Sequence, residues 1–170
     1  MLTLTRKAAA LALSVSLSLP VTQTAAYADP GRGPETVEKT SYGGANSLSC
    51  LTEALYFEAR GESPKGQRAV AEVILNRVDS NAFPGSVCGV VNQRGQFTYK
   101  KGRRMSNASA AARVRQIASD ALAGAPRALT DGATYFHTTN VRPSWSKRFT
   151  RTTRIGSHIF YRKGRRVAAN

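Results

Sequence analysis

Side chains that bind metals are scarce in this chain of 170 residues, which has two cysteines and two histidines. Neither Cys50 nor Cys88 has another cysteine or a histidine close by in sequence, so no zinc-binding motif is present. His137 and His158 lack the H-E-x-x-H helix that binds zinc in metalloproteases, and no acidic residue is adjacent to either of them. We therefore expect neither a metal nor another cofactor.

The chain also lacks an apolar run of the roughly 20 residues that a membrane-spanning helix needs. A shorter uncharged run follows Arg6 and Lys7 and leads to Ala26 and Ala28, which frame an A-x-A cleavage site. This pattern predicts a signal peptide over residues 1–28 and export to the periplasm or beyond, and an uncleaved membrane anchor is the alternative. In an oxidising compartment, an even cysteine count favours a Cys50–Cys88 disulfide over two unpaired thiols.

Acidic residues are few, since 10 Asp and Glu stand against 25 Lys and Arg, and the formal net charge is +15. Such a charge implies a partner with an anionic surface. The basic residues of the last third are spread out and form no recognisable nucleic-acid-binding motif. We therefore expect an anionic envelope surface, and no nucleic acid, as the partner. The sequence does not determine the oligomeric state.

Residues 29–46 are rich in glycine, proline and charge without an apolar period, which predicts a flexible linker. Residues 47–165 are left for one domain. Apolar residues recur at helical spacing in three segments of this domain, which predicts three helices over residues 47–60, 64–79 and 108–123. Ser63 is expected to cap the second helix, and Gly61 to end the first in a left-handed conformation.

The last third is aromatic and β-branched, and two segments, "ATYFHT" and "RIGSHIFYRKG", predict two short strands that pair around a basic loop. An extended piece is expected near Phe97 to Tyr99. Helices followed by a small antiparallel sheet make an α+β domain.

The acidic residues after the linker limit the possible mechanisms because there are only seven: Glu53, Glu58, Glu62, Glu72, Asp79, Asp120 and Asp131. Glu72 and Asp79 are interpreted as surface or capping groups, and Glu53 as a helix-surface group. Glu62 is expected to face the N-terminus of the second helix. No pair of carboxylates of the usual hydrolytic kind is evident.

Glu58 differs from the other carboxylates because it lies near the C-terminal end of the first helix, next to Tyr56 and Phe57. The helix dipole and shielding by the two rings both disfavour its charged form, which raises the pKa of Glu58. A glutamic acid that stays protonated near neutral pH suits acid-catalysed cleavage of a glycosidic bond. From the spacing alone, a Glu58 paired with Arg60 on a solvated face is an equal alternative.

The blocks "YFEARGE" and "GQRAVAEVILNRV", with the later "GQFTY", "YFHTTNVRPSW" and "TRIGSHIFY", resemble the SleB-type cell wall hydrolase family. The resemblance covers residues 50–162. It implies a lysozyme-like fold and assigns Glu58 as the catalytic acid. It also implies lytic transglycosylation of peptidoglycan glycan strands, in which the MurNAc–GlcNAc bond is cut without water and a 1,6-anhydro ring closes.

The same resemblance places Gln96, Phe97 and Thr98 beside the cleft as substrate-binding residues, although a hairpin stem is an equal alternative for them. Tyr135 and Trp145 are candidates for stacking on sugar rings, while strand aromatics such as Tyr135 are also common in cores. A muramidase that uses water, a zinc amidase and a non-catalytic cationic wall-binding module remain as alternative functions.

Overall fold

The protein is described by a computed structural model over residues 42–44, 46–97 and 99–164. The predicted signal peptide, most of the predicted linker, Thr98 and residue 165 lie outside the described residues. Tyr42 belongs to the predicted linker, yet its ring is buried and its hydroxyl donates a hydrogen bond to Asp79. The packed part of the chain therefore includes this residue.

Helices precede a small sheet along the chain, as the sequence predicted, and the α+β class is confirmed. The described residues form four α-helices: α1 (Ser47–Ala59), α2 (Pro64–Val78), α3 (Val87–Asn92) and α4 (Ala108–Leu122). They also form three strands: β1 (Tyr135–Thr138), β2 (Thr150–Ile155) and β3 (His158–Arg162). No helix within the described ranges is both long and apolar enough to cross a membrane.

The sheet has three strands rather than two because the end of the predicted basic loop forms most of β2, which turns at Gly156 and Ser157 into β3. The strand order is β1-β3-β2 and both pairings are antiparallel. Gly156 has φ +57°, a left-handed conformation that glycine adopts without steric cost. The predicted extended piece around Phe97 to Tyr99 is not a strand in the described residues.

The core includes apolar residues whose spacing predicted α1, α2 and α4, and residues of α3 and the sheet pack with them. Leu51, Leu55, Val70, Ile74 and Val114 are all fully buried. The side chains of Ser63 and Asn107 accept hydrogen bonds at the starts of α2 and α4, which fixes where these helices begin. Periodicity and capping together therefore account for the three longer helices.

A disulfide joins Cys50 of α1 to Cys88 of α3, with their Cα atoms 5.4 Å apart. The predicted pairing is therefore present. It attaches α3, a helix of six residues that the sequence did not predict, to the helix that carries Glu58.

Glu72 is a buried hydrogen-bond acceptor in α2, so its interpretation as a surface or capping group is wrong. Its carboxylate accepts hydrogen bonds from the Leu129 N–H, at 3.1 Å, and from both the N–H and the hydroxyl of Thr130, each at 3.0 Å. Through these hydrogen bonds, the Glu72 carboxylate holds the segment before β1 against α2.

Replacing Glu72 by Ala should lower the free energy of unfolding by about 3 kcal/mol, because buried donors on Leu129 and Thr130 lose their acceptor. Urea denaturation followed by circular dichroism would measure the change. Asp120→Ala is the matched control, since Asp120 is an exposed carboxylate on α4 and its loss should cost less than about 0.5 kcal/mol. Equal costs for the two variants would contradict the structural role of Glu72.

Candidate active site

Glu58 lies in the last turn of α1, one residue before the helix ends at Ala59, and its side chain is partly buried. Burial raises the pKa of the Glu58 carboxyl above its usual range, and the positive charge of Lys101 acts in the opposite direction. Removal from water disfavours the charged form of a carboxyl group. Glu58 is therefore placed to keep its proton at a higher pH than an exposed glutamate.

The loop between α3 and α4 passes beside Glu58 and is attached to α1 by hydrogen bonds and by a ring contact. The Glu53 carboxylate accepts a hydrogen bond from the Gly102 N–H at 2.6 Å. One turn later, the Phe57 ring stacks on Tyr99 with the ring centroids 4.8 Å apart. Glu53 is thus a partly buried anchor for this loop, rather than a group on an open helix surface.

Lys101 is held in place by two contacts within this loop region. Its ammonium group donates to the Val91 carbonyl at 2.8 Å and lies 4.0 Å from the centroid of the Tyr99 ring. Burial lowers the pKa of Lys101, whereas the negative charges of Glu53 and Glu58 raise it. A cation fixed in this way stays close to Glu58 and can stabilise its carboxylate once the proton has left.

Gln67 satisfies the backbone carbonyls at the end of α1, a role that the sequence had assigned to a left-handed Gly61. Its fully buried side-chain amide donates to the carbonyls of Ala59 and Glu62, at 3.2 and 3.1 Å. Gly61 is not among the glycines with positive φ, so that prediction is wrong. Because a side chain of α2 caps the end of α1, the helix end that carries Glu58 is fixed to the core.

The Glu62 carboxylate lies against Gly66 in the first turn of α2, as expected, and it also faces the turn between β2 and β3, which the sequence did not predict. The Ser157 hydroxyl donates a hydrogen bond to its carboxylate. A β carbon at Gly156 would collide with the same carboxylate, so glycine is required there. The Ser63 hydroxyl accepts the hydrogen bond of the Gly66 N–H at the start of α2.

The two histidines lie on neighbouring strands and have structural contacts. His137 Nδ1 lies 2.8 Å from the Thr138 carbonyl oxygen. Because a carbonyl oxygen can only accept a hydrogen bond, Nδ1 carries the proton and donates. The other ring nitrogen, Nε2, accepts a hydrogen bond from the Tyr161 hydroxyl at 3.0 Å. His158 Nδ1 is 3.4 Å from the Glu62 carboxylate without hydrogen-bond geometry, and burial lowers the pKa of His158, which favours a neutral ring. Among the described residues, no group of three or more His, Cys, Asp and Glu is placed to hold a metal ion.

Of the predicted substrate-binding residues of the α3–α4 loop, Phe97 lies near Lys101. Gln96 is exposed, and Phe97 is partly buried with its ring centroid 5.4 Å from the Lys101 ammonium and 6.3 Å from the Tyr99 ring. Thr98 lies outside the described residues. Phe97 is thus brought into the same cluster as the cation beside Glu58.

Tyr135 and Trp145 lie together in a second aromatic cluster. Their ring centroids are 5.5 Å apart, and Phe149 packs 4.6 Å from Tyr135. Trp145 belongs to a short 3-10 helix, Ser144–Lys147, and is partly buried instead of projecting from an open loop. Both candidate stacking residues therefore present only part of their rings to solvent.

Arg77 of α2 connects the two aromatic groups. Its buried guanidinium lies 5.9 Å from the Phe97 ring centroid and 5.7 Å from that of Tyr135. Its Nε donates to the Thr134 carbonyl at 2.6 Å, just before β1. The cluster beside Glu58 and the cluster on the sheet are therefore contiguous.

Sequence reasoning missed Tyr99, Lys101, Gln67 and Arg77 as members of this region. Burial, followed by the charges of Glu53 and Glu58, raises the pKa of Tyr99, so its phenol stays neutral. Periodicity carries no information on the loop residues, because their contacts with α1 join distant parts of the chain. The sequence held one signal for these residues: a polar residue such as Gln67 on an otherwise apolar helix face needs hydrogen-bond partners when it is buried.

Comparison with known proteins identifies a family. Residues 61–161 match the family described as Cell Wall Hydrolase, and Glu58 lies just before that range. Spore cortex-lytic enzymes of Halalkalibacterium halodurans and Bacillus subtilis are 39% and 36% identical to the chain, each over 68% of its length. The aligned part is 34% and 37% of those enzymes, so the chain spans about a third of their length.

Two solved structures share the fold. The catalytic domain of the Bacillus cereus SleB protein is 30% identical, with a TM-score of 0.57, over 73% of this chain and 98% of that domain. The catalytic domain of the germination-specific lytic transglycosylase SleB from Bacillus anthracis is 28% identical, with a TM-score of 0.55, over 76% of this chain and 100% of that domain. These matches confirm the predicted lysozyme-like α+β fold. Since the family match covers more than half of the chain, the protein belongs to the cell wall hydrolase family.

Proposed function

We propose that the protein is an exported enzyme that cleaves peptidoglycan glycan strands as a lytic transglycosylase, with Glu58 as its catalytic acid. The observation that carries the proposal is the position of Glu58 at the end of α1, where burial raises the pKa of its carboxyl group beside the fixed cation Lys101. The names of the structural relatives, a SleB catalytic domain and a lytic transglycosylase, support the same reaction.

In the proposed reaction, Glu58 donates its proton to the glycosidic oxygen between N-acetylmuramic acid and N-acetylglucosamine, and the bond from that oxygen to the muramic C1 breaks. The Glu58 carboxylate then accepts the proton of the muramic 6-hydroxyl, whose oxygen bonds to C1 and closes the anhydro ring. Lys101 stabilises the carboxylate between the two proton transfers. The enzyme returns to its protonated state without consuming water.

A mechanism with one carboxylate suits this site because the other nearby acids have structural contacts. Glu53 accepts from the Gly102 N–H, Glu62 accepts from Ser157, and Glu72 is buried. A hydrolase with two catalytic carboxyl groups needs a second one facing the first across the bond. None of these three carboxylates is free of such a contact.

Substrate binding is proposed for the two aromatic clusters. Phe97, with Gln96 and Thr98, would contact the sugar near the cleaved bond, and Tyr135 with Trp145 would contact the strand further along. The net charge of +15 favours attachment to an anionic envelope surface. Export through the predicted signal peptide would bring the enzyme to the wall.

Product analysis tests the reaction type. Purified peptidoglycan is digested with the protein and the released muropeptides are weighed. Anhydro products, lighter by one water than hydrolytic ones, are expected. Reducing ends would indicate a muramidase, and free stem peptides that disappear with a chelator would indicate a zinc amidase. Protein that pellets with the wall and releases nothing would indicate a non-catalytic binding module.

Replacing Lys101 by Met should move the alkaline limb of the pH profile of kcat/KM to higher pH. Lys101 is the charged group that acts on Glu58, and the phenol of Tyr99 beside it is neutral. The Lys101 charge lowers the pKa of Glu58, so its removal raises that pKa, and a general acid then stays protonated further up the pH scale. Lys100→Met, an exposed neighbour, is the matched control and should leave the profile in place. A limb that moves to lower pH would contradict the role of Lys101.

A further inference from the structure

A cavity of about 470 Å³ opens between the end of α2 and the sheet, next to the aromatic cluster of Tyr135. Phe83 and Tyr135 line it with their rings, whose centroids are 5.8 Å apart. Its volume falls within the range of roughly 300 to 1,000 Å³ that is usual for ligand sites. Two flat apolar faces in a cavity of this size suit a small organic ligand rather than a bare ion.

The charges around the cavity favour an anionic ligand. Arg162 and Lys163, which are both exposed, line its rim. Of the two nearby carboxylates, Asp79 is paired with Arg127 at 2.7 Å, and Asp131 lies 3.6 Å from Arg162. Lys163 is therefore left without a carboxylate partner among the described salt bridges, and the rim carries a net positive charge.

A further positive charge, that of Arg77, lies next to the Phe83 and Tyr135 rings that line the cavity. The Arg77 guanidinium is 5.2 Å from the Phe83 ring centroid and 5.7 Å from that of Tyr135. No carboxylate pairs with Arg77 among the salt bridges of the described residues, and its Nη1 atom is buried without a hydrogen-bond partner there. A buried charge that is not neutralised acts over a longer range than an exposed one, so it adds to the attraction for an anion.

We propose that this cavity binds the stem peptide of peptidoglycan, with peptide carboxylates at Arg162 and Lys163 and the peptide itself against the rings of Phe83 and Tyr135. The proposal rests on the proposed function. N-acetyl sugars are neutral, so the peptides supply most of the negative charge on a peptidoglycan strand. Arg77 contacts Tyr135 of the cavity and Phe97 of the α3–α4 loop, so the cavity lies next to the part of the molecule that carries Lys101 and Glu58. The cavity would thus make the enzyme prefer strands that still carry their peptides.

The test compares soluble glycan strands that carry stem peptides with the same strands after the peptides have been removed. The double variant Arg162→Gln/Lys163→Gln should raise KM for the peptide-bearing strands roughly fivefold, as expected for two partly exposed charge contacts, and leave KM for the bare strands unchanged. Arg113→Gln/Arg115→Gln, two exposed arginines of α4, makes the same change in net charge and should alter neither value. Ala82→Trp fills the cavity from its exposed wall and should reproduce the selective rise in KM.

Binding of free stem peptide to the wild-type protein, followed by NMR, gives a readout that does not depend on cleavage. Peptide-induced shifts in residues around the cavity, lost in Ala82→Trp, would support the proposal. A rise in KM of equal size on both kinds of strand, or the same effect in the α4 control, would overturn it. If the wild-type protein cleaves neither strand, the proposed function fails, while the peptide titration still decides whether the cavity is a peptide site.

Discussion

Replacing Glu58 by Gln is expected to reduce kcat for release of soluble muropeptides by roughly a hundredfold to ten-thousandfold, the usual contribution of a general acid. Glutamine has the size of glutamic acid and can still accept a hydrogen bond, but it cannot donate a proton to the glycosidic oxygen. Binding to the wall should persist, because the substitution removes none of the basic residues of the protein. The rate of muropeptide release and the amount of protein that pellets with peptidoglycan are the two measurements.

Glu53→Gln is the matched control for this variant. Glu53 lies on the same helix and accepts the Gly102 N–H, a hydrogen bond that glutamine can also accept. It should retain activity within a few-fold of wild type. If Glu58→Gln keeps full activity, Glu58 is not the catalytic acid. If both variants lose activity equally while remaining folded, the assignment of a single catalytic carboxylate is wrong.

Removing the disulfide with Cys50→Ser/Cys88→Ser should lower the free energy of unfolding by about 4 kcal/mol. The two residues are separated by 38 positions, and the loop-closure model gives this value for a loop of that length. The crosslink also attaches the six-residue α3, which is too short to be stable alone, to α1. Urea denaturation of the oxidised wild type and of the double variant would measure the difference.

Reduced wild-type protein should unfold at the same urea concentration as the double serine variant, and a reducing agent should have no further effect on that variant. Because the disulfide is remote from the proposed proton transfers, kcat should stay near its wild-type value wherever the variant is folded. If the double variant loses less than about 1 kcal/mol in free energy of unfolding, contacts between α1 and α3 hold the region without the disulfide.

The longer helices could be predicted because local information determines them. Apolar residues at helical spacing, together with Ser63 as the cap of α2, predicted α2 and α4 closely. The six residues of α3 are too few to show a period, and most of β2 lies in a polar, basic segment whose pattern predicted a loop. Local patterns therefore failed where an element is shorter than the window needed to recognise it.

The candidate site was only partly accessible to such reasoning. The position of Glu58 at a helix end follows from the sequence, and the raised pKa of its carboxyl agrees with the expected shielding. The partners of Glu62 and Glu72 did not follow, because they lie 95 and 57 residues away along the chain. Lys101 was likewise not identifiable, since only the folded loop brings it near Glu58.

The contact between Glu62 and Ser157 has a consequence for the order of events during biogenesis. It joins the turn after α1 to the β2–β3 hairpin across 95 residues, so it can form only after the hairpin has been synthesised. The β2–β3 hairpin, which follows α1 along the chain, thus completes the surroundings of the residue proposed to cut the wall. A partly synthesised or partly exported chain would lack this support, so its activity would be withheld until the whole domain has been delivered.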